Sequence, residues 1–286
     1  MGGYGKRFRS TGTSGGSGRR KRFVTPTVSN FSFNAMRFNG GTGGYYVSSS
    51  YNSDLNWNGK TKFSVSAWIK HDNTIDTYIN NVYVSQHKQT GTRESVWRLW
   101  QRNTTQIGLS IANHVNDALT AAGLFNNSGV TLNVFNNYIF TFDADGAGNS
   151  DKMRCYLNGV SSSLIYLNSA PLATTMSIGQ ADFCIGAMGS AGGGSWFGPG
   201  EMDDCAVWEE CLSQSQITTI YNGGVPIDLT LLSNASNLRY YFRLGENMIG
   251  SGLDGLFVKN EVSGTNGLIK NLTGSFDSPI VVRSAV

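Results

Sequence analysis

The sequence predicts an all-β antiparallel fold with one short helix and a basic N-terminal arm, and three observations carry that expectation. Charged residues make up only 14% of 286 positions while glycine alone has 36 copies, a turn-rich and neutral-surfaced composition. From Pro26 onward, short β-rich runs follow one another with Gly, Asn, Asp and Ser between them, the pattern of a sandwich. Eight cations, Lys6, Arg7, Arg9, Arg19, Arg20, Lys21, Arg22 and Arg37, precede the first acidic residue, Asp54. The remaining 14 basic and 19 acidic residues sum to −5, so the formal +3 hides a cationic leader on a slightly acidic body.

The arm comes first. Residues 1–26, with GGYGKRFRSTGTSGGSGRRKRF after Met1, read as a flexible polycationic segment attached to one folded domain, residues 27–286. Fully extended, it reaches at most about 70 Å. Each phosphate that a cation neutralises releases condensed counterions, and no defined fold is needed for that gain. Lys6, Arg7, Arg9, Arg19, Arg20, Lys21 and Arg22 are therefore the expected nucleic-acid contacts, with Tyr4, Phe8 and Phe23 available to stack on bases. Such contacts carry little sequence specificity. A solubilising tail, or a nuclear-import signal in RRKR, are the alternatives.

In the body, strands are expected at 44–48, 62–70, 81–87, 95–101, 106–112, 131–143, 152–158, 182–187, 201–208 and 238–244. Several alternate cleanly. In 62–70, Phe63, Val65, Ala67 and Ile69 share one face and Ser64, Ser66, Trp68 and Lys70 the other. One helix is marked by Ser213 and Gln216, a capping box, with Ile217, Ile220 and Tyr221 on one side and Gly223 and Gly224 ending it. No long repeat is evident, and outside the arm the one low-complexity piece is the 189–200 loop, GSAGGGSWFGPG. No apolar stretch follows the basic start, and none nears the ~18 residues of a membrane span, so neither a secretory leader nor a membrane partner is expected.

Several segments resemble a known family. They are MRFNGGTGGYYV, FSVSAWIK, NNYIFTFDADGAGNSDKMRCYLNG, FCIGAMG, EMDDCAVWEECLSQSQITTIYNGG, LRYYFRLGE and NGLIKNLTGSF. Together, over roughly residues 35–275, they resemble the concanavalin A-like lectin/glucanase superfamily, in particular the laminin-G-like domains found in phage and marine viral proteins. The resemblance implies a two-sheet antiparallel jelly roll; strand count and alternation alone support only a sandwich or barrel.

Catalytic signatures are mostly missing. Glucanases of this fold place two carboxylates on one strand face in a Glu-x-Asp-x-x-Glu motif, one acting as acid and one as nucleophile. Here the match is Glu201-Met-Asp203-Asp204-Cys205-Ala206, with Ala206 where the second carboxylate is required, so the chain is not expected to be an enzyme. Asp203 and Asp204 are expected to fix loops by accepting hydrogen bonds. Gly59-Lys60-Thr61 ends like a phosphate-binding loop but has Asp54 at the first glycine. His71, His87 and His114 lack zinc spacing and read as surface or loop residues. No cofactor is expected. Calcium is the one ion that the run DADGAGNSD suits, through Asp143, Asp145, Asn149 and Asp151, but the far-end Glu is missing and a hairpin turn needs the same residue types, so the turn is preferred. Cys155, Cys184, Cys205 and Cys211 read as free thiols, two of them at apolar strand positions. Trp57, Trp97 and Trp100 have rings that suit sugar stacking, core packing being the commoner use of such residues; Trp68 and Trp208 are assigned to sheet packing. Trp196, in the glycine-rich loop, is the expected exposed contact for a glycan or a neighbouring subunit.

These readings favour a non-enzymatic virion structural protein, a jelly-roll shell subunit that self-associates while its arm contacts packaged nucleic acid. The alternative is a glycan-binding, lectin-like virion decoration or fibre module. Deleting residues 1–23 is expected to abolish salt-sensitive retention of single-stranded nucleic acid, whose log–log salt slope for seven contacts is about −5; equal retention without those residues counts against the arm.

Overall fold

The structure, a computed structural model, describes residues 34–283 apart from 41–43, 45, 58, 72–80, 91, 104–105, 113–118, 127–128, 168–180, 190–195, 247, 250–256, 263–264 and 271–280. In chain order the first strands are β1 (Asn34–Phe38), β2 (Tyr46–Ser49), β3 (Lys62–Lys70), β4 (Asn81–Thr90), β5 (Thr92–Asn103) and β6 (Gln106–Ala112). Then come β7 (Leu119–Asn126), β8 (Phe135–Asp143), β9 (Met153–Leu157), β10 (Val160–Ser162), β11 (Ile165–Leu167) and β12 (Phe183–Ile185). The last are β13 (Gly200–Trp208), β14 (Leu238–Phe242), β15 (Met248–Ile249), β16 (Phe257–Val258), β17 (Gly267–Lys270) and β18 (Val281–Arg283). A one-turn helix, α1 (Asn149–Lys152), precedes β9, and α2 (Gln214–Tyr221) follows β13.

These strands form two antiparallel sheets, the two-layer jelly roll that the resemblance implied. The first has the order β10-β9-β8-β3-β13-β1-β18, with β14 on the half of β13 that β1 leaves free. The second runs β11-β7-β6-β5-β4-β12-β2-β17-β16-β15. Strand alternation then builds the interior: Phe63, Val65, Ala67 and Ile69 of β3 join Tyr138, Phe140 and Phe142 of β8 and Trp97 and Leu99 of β5 in one core between the sheets. Phe183 of β12 stacks on Phe242 of β14 across that core, with centroids 5.6 Å apart and planes 14° from parallel.

The first sheet is covered on its other face as well. Ile139, Tyr156, Ala206, Trp208 and Tyr241 point outward from it and pack under Leu212, Ile217, Ile220, Ile227 and Leu229. Helix α2 forms as its sequence predicts. The Ser213 side chain takes the Gln216 N–H while the Gln216 side chain takes the Ser213 N–H, a box worth about 1 kcal/mol, and Asn222 closes the helix in the left-handed region at φ 45°. Its Tyr221 ring stacks on Trp68, 5.9 Å and 23°, so Trp68 is sheet packing as expected. Gly159 permits this approach, because a Cβ there would lie 2.9 Å from the Tyr221 ring. Double coverage explains why β3 buries seven consecutive residues, serines included: Ser64 Oγ donates to Glu210 O at 2.7 Å and accepts the Leu212 N–H at 3.0 Å.

His71 corrects the surface reading of the histidines. It is 2% exposed and lies between the sheets, bonded to Tyr138 Oη on one side at 2.8 Å and Tyr83 Oη on the other at 3.2 Å. Tyr83 donates onward to Gln101 Oε1 at 2.8 Å, so its oxygen accepts from His71 Nδ1–H, and Nε2 accepts the Tyr138 hydroxyl. A neutral imidazole completes this chain; a charged one has no acceptor for its second proton unless Tyr138 turns. His87 lies in β4, and His114 is outside the described residues.

Burial lowers the His71 pKa from its usual 6.5 to about 4. A depressed imidazole contributes stability that is fully present above its unfolded pKa and is lost as pH falls from about 6.5 through about 4, on the order of 3 kcal/mol. Relative to His71→Gln, the wild type is therefore expected to lose urea resistance between about pH 7 and pH 4. A gap between the two proteins that does not change with pH would contradict the buried neutral assignment.

Candidate functional site

Trp196 is set apart by its backbone and its exposure. Five of the six tryptophans, Trp57, Trp68, Trp97, Trp100 and Trp208, are at most 3% exposed, which assigns Trp57, Trp97 and Trp100 to packing; Trp196 is 38% exposed. It sits in the left-handed region at φ 52°, a conformation that costs a bulky residue about 1–3 kcal/mol and persists only where its surroundings impose it. Here β4 imposes it. Val82 N–H donates to Trp196 O at 2.9 Å, Phe197 bridges Val82 in parallel, and Gly198 N–H donates to Gly186 O at 3.0 Å. Gly198 is needed for that approach, since a Cβ would fall 2.6 Å from Val82 O. Phe197 anchors the turn in an apolar patch with Tyr46, Cys184 and Ala187.

Beneath the indole lies Arg98, which the sequence reading did not single out. In Trp97-Arg98-Leu99-Trp100 the alternation of β5 sends Trp97 and Leu99 into the core and leaves Arg98 and Trp100 on the opposite face of the sheet. The guanidinium carbon is 4.5 Å from the Trp100 ring centroid and 5.0 Å from that of Trp196, one cation in contact with two indoles. Its Nε donates to Ser110 Oγ at 3.1 Å and Nη1 reaches Met188 Sδ at 3.5 Å, which leaves Arg98 only 5% exposed. Val82, Trp100, Leu124 and Met188 pack together beside it, and the Trp100 indole N–H has no acceptor among the described residues. The result is one exposed indole, the Trp196 platform, packed against a buried arginine on a sheet face.

The other predicted positions fare differently. Lys6, Arg7, Arg9, Arg19, Arg20, Lys21 and Arg22 lie outside the described residues. In the DADGAGNSD run, Asp145 N–H donates to Asp143 Oδ1 at 3.0 Å, and Lys62 Nζ stands 3.1 Å from Asp143 Oδ2 and 3.3 Å from Asp145 Oδ2. Asn149 and Asp151 belong to α1, and Arg154 Nη2 approaches Asp151 Oδ1 at 3.4 Å. The run is thus a turn and a helical turn with cations against three of its carboxylates. Among the described residues no three His, Cys, Asp or Glu side chains converge on a point suited to a metal ion. All four cysteines are free; Cys155 and Cys205 lie in the core, and burial pushes the Cys184 thiol up to about 12. Among the described residues no helix is long and apolar enough to cross a membrane.

A scan against family models matches residues 24–218 to the concanavalin A-like lectin/glucanases superfamily. A provisionally assigned carbohydrate binding protein from Bacteroides ovatus is similar in structure, with a TM-score of 0.57 at 15% identity; the match covers 84% of this chain and 59% of that one. A heptameric SAP-like pentraxin from Limulus polyphemus gives 0.43 at 14% identity, covering 76% of this chain and 94% of the pentraxin. The CBM40 of a Ruminococcus gnavus IT-sialidase, bound to α2,3-sialyllactose, gives 0.44 at 13%, covering 68% and 99%. At these identities the likeness is one of fold. A search of curated proteins gives no match.

The segment that aligns with the glucanase motif is closed. Glu201 is 1% exposed, with one carboxylate oxygen 3.0 Å from Arg37 Nη2 and the other 3.1 Å from Lys70 Nζ. After Asp203 a bulge slips the register of β13 against β3, and Asp204 takes a left-handed conformation at φ 45°. Asp203 Oδ1 accepts the Asp204 N–H at 2.7 Å, and Asp204 Oδ1 accepts the Tyr241 hydroxyl at 2.7 Å. Both aspartates therefore hold the bulge in place. Burial pushes both carboxyls up, Asp204 to about 7, against the pull of the Tyr241 hydrogen bond and of Arg243. A raised acid contributes stability that is fully present below its unfolded pKa of 3.8 and is lost as pH rises through about 7. Against Asp204→Asn, the wild type is expected to lose urea resistance on going from about pH 5 to about pH 8; a gain over that interval would reverse the assignment.

Proposed function

The chain belongs to the concanavalin A-like lectin/glucanases superfamily, and from that premise we propose that it is a non-enzymatic carbohydrate-recognition module whose contact surface is the Trp196 platform. One observation carries the reading: a large aromatic ring held exposed in a costly backbone conformation over a fixed, buried cation. A sugar ring presents an apolar face of axial C–H groups to such a surface while its hydroxyls stay in water. Ala206 at the second carboxylate position and the two cations that engage Glu201 support the non-enzymatic part of this reading.

The charge asymmetry favours a second reading of the whole chain. Seven cations within the first 22 residues suit a polyanion, and stacking on a sugar ring has no need of them. A virion shell or decoration protein, self-associating through its sandwich and touching packaged nucleic acid through this segment, accommodates both parts of the molecule. The two readings meet in a virion protein that also binds glycan.

A glycan array probed with the full chain and with Trp196→Ala tests the platform. The variant is expected to lose at least about tenfold in apparent affinity, roughly 1.4 kcal/mol, while its circular-dichroism spectrum stays that of the folded sandwich. Undiminished binding by the folded variant, or no binding by either protein, would remove the platform from the reading.

A further inference from the structure

We infer that the platform selects a neutral glycan, recognised through the apolar face of a pyranose ring, and that Arg98 is a positioning residue for Trp196 instead of a receptor for an acidic sugar. This deepens the carbohydrate reading and rests on it. An exposed tryptophan beside an arginine suggests, at first sight, a site for a carboxylated or sulfated saccharide. The geometry argues otherwise. The Arg98 guanidinium packs against both the Trp100 and the Trp196 rings, Nε is committed to Ser110 and Nη1 to Met188, and the residue is 5% exposed. An anion in solvent meets a covered group.

Among the described residues, those packed with Phe197 and with Trp100 beside it (Tyr46, Cys184, Ala187, Val82 and Met188) carry no ionic group at neutral pH, and the sequence GSAGGGSWFGPG contains no charged residue. A neutral surface with one exposed indole offers stacking and no Coulombic selectivity for acidic ligands. What the cation supplies is mechanical and electrostatic support: a planar, positively charged group in contact with both rings attracts their π systems and fixes Trp196 while part of its surface stays exposed. Lysine has the charge without the plane, and methionine has the stem without the charge.

The test uses the full-length chain and panels of neutral oligosaccharides (cello-, laminari-, manno- and xylo-oligosaccharides) and acidic ones (oligogalacturonate, sialyllactose and sulfated heparin fragments). Binding is expected in the neutral panel, with a Kd that changes less than about twofold between about 50 and 500 mM NaCl, since no ion pair forms. Arg98→Lys and Arg98→Met are both expected to weaken it at least about tenfold and to alter acrylamide quenching of Trp196 fluorescence, isolated by subtracting the corresponding Trp196→Phe proteins. Binding confined to the acidic panel and weakened by salt, while still lost in Trp196→Ala, would overturn the inference and leave the carbohydrate reading standing. Unaltered affinity and quenching in Arg98→Lys would overturn the positioning role. Loss of the carbohydrate reading has a different signature, no panel member bound in a Trp196-dependent way. The salt titration needs no variant, so an Arg98 substitution that fails to fold still leaves ligand class decided.

Discussion

The structure depends on burying both faces of its first sheet. An ordinary two-layer sandwich leaves each outer face to water, and its strands then alternate apolar and polar. Here α2 and the segment after it close over β3, β8, β13 and β14, so their outward residues lie in a second apolar layer with Trp208 and Tyr241 at its centre. Polar groups trapped beneath must find partners within the protein. Ser64 ties β3 to the segment leading into α2, and Glu201 sits between Arg37 and Lys70. The same closure removes the motif segment of β13 from solvent, which is why a fold shared with glucanases has no open carboxylate cleft at that place.

Two buried titratable clusters, one between the sheets and one at the β13 bulge, pull in opposite directions. His71 joins the sheets as a neutral base, so acid works against it, whereas Asp204 is held at the bulge as a carboxyl whose ionisation burial disfavours, so alkali works against that. Their working ranges overlap between about pH 4 and pH 7. Within that interval one contribution grows as the other shrinks, and the whole chain varies less with pH than either cluster does. Single substitutions separate slopes that the intact protein combines.

Much of this architecture was legible because it rests on local rules. β3 matches its predicted span, and the capping box of α2 and its glycine-rich end are read from residues a few positions apart. β7, with the sequence LTAAGLFN, carries too many Ala and Gly residues to announce a strand; it exists because β6 and β11 pair with it. The span 131–143 began too early because Asn133 turns left-handed and its N–H bonds to His71 O. His71 and Asp204 were misjudged or undervalued for one reason: their burial depends on partners 67 and 37 positions away, Tyr138 and Tyr241, which no local pattern reveals. At the platform, Trp196 was visible as an aromatic in a glycine-rich loop. Arg98 was visible too, in the alternation of β5, but its meaning requires knowing that the loop returns to cover that strand.

That return is what turns two unremarkable segments into a site. A glycine-rich loop by itself lets an aromatic side chain sample many orientations, and a ligand that fixes one of them pays the ordering entropy on binding. Backbone bonds from Val82 and Gly198, the apolar anchor of Phe197 and the guanidinium below the ring settle that orientation during folding instead. Pre-organisation of this kind raises affinity for a flat apolar ligand face without adding a contact. Stacking also responds less to nearby cations than an ionic site would, so the proposed glycan surface and the basic N-terminal sequence are compatible in one chain.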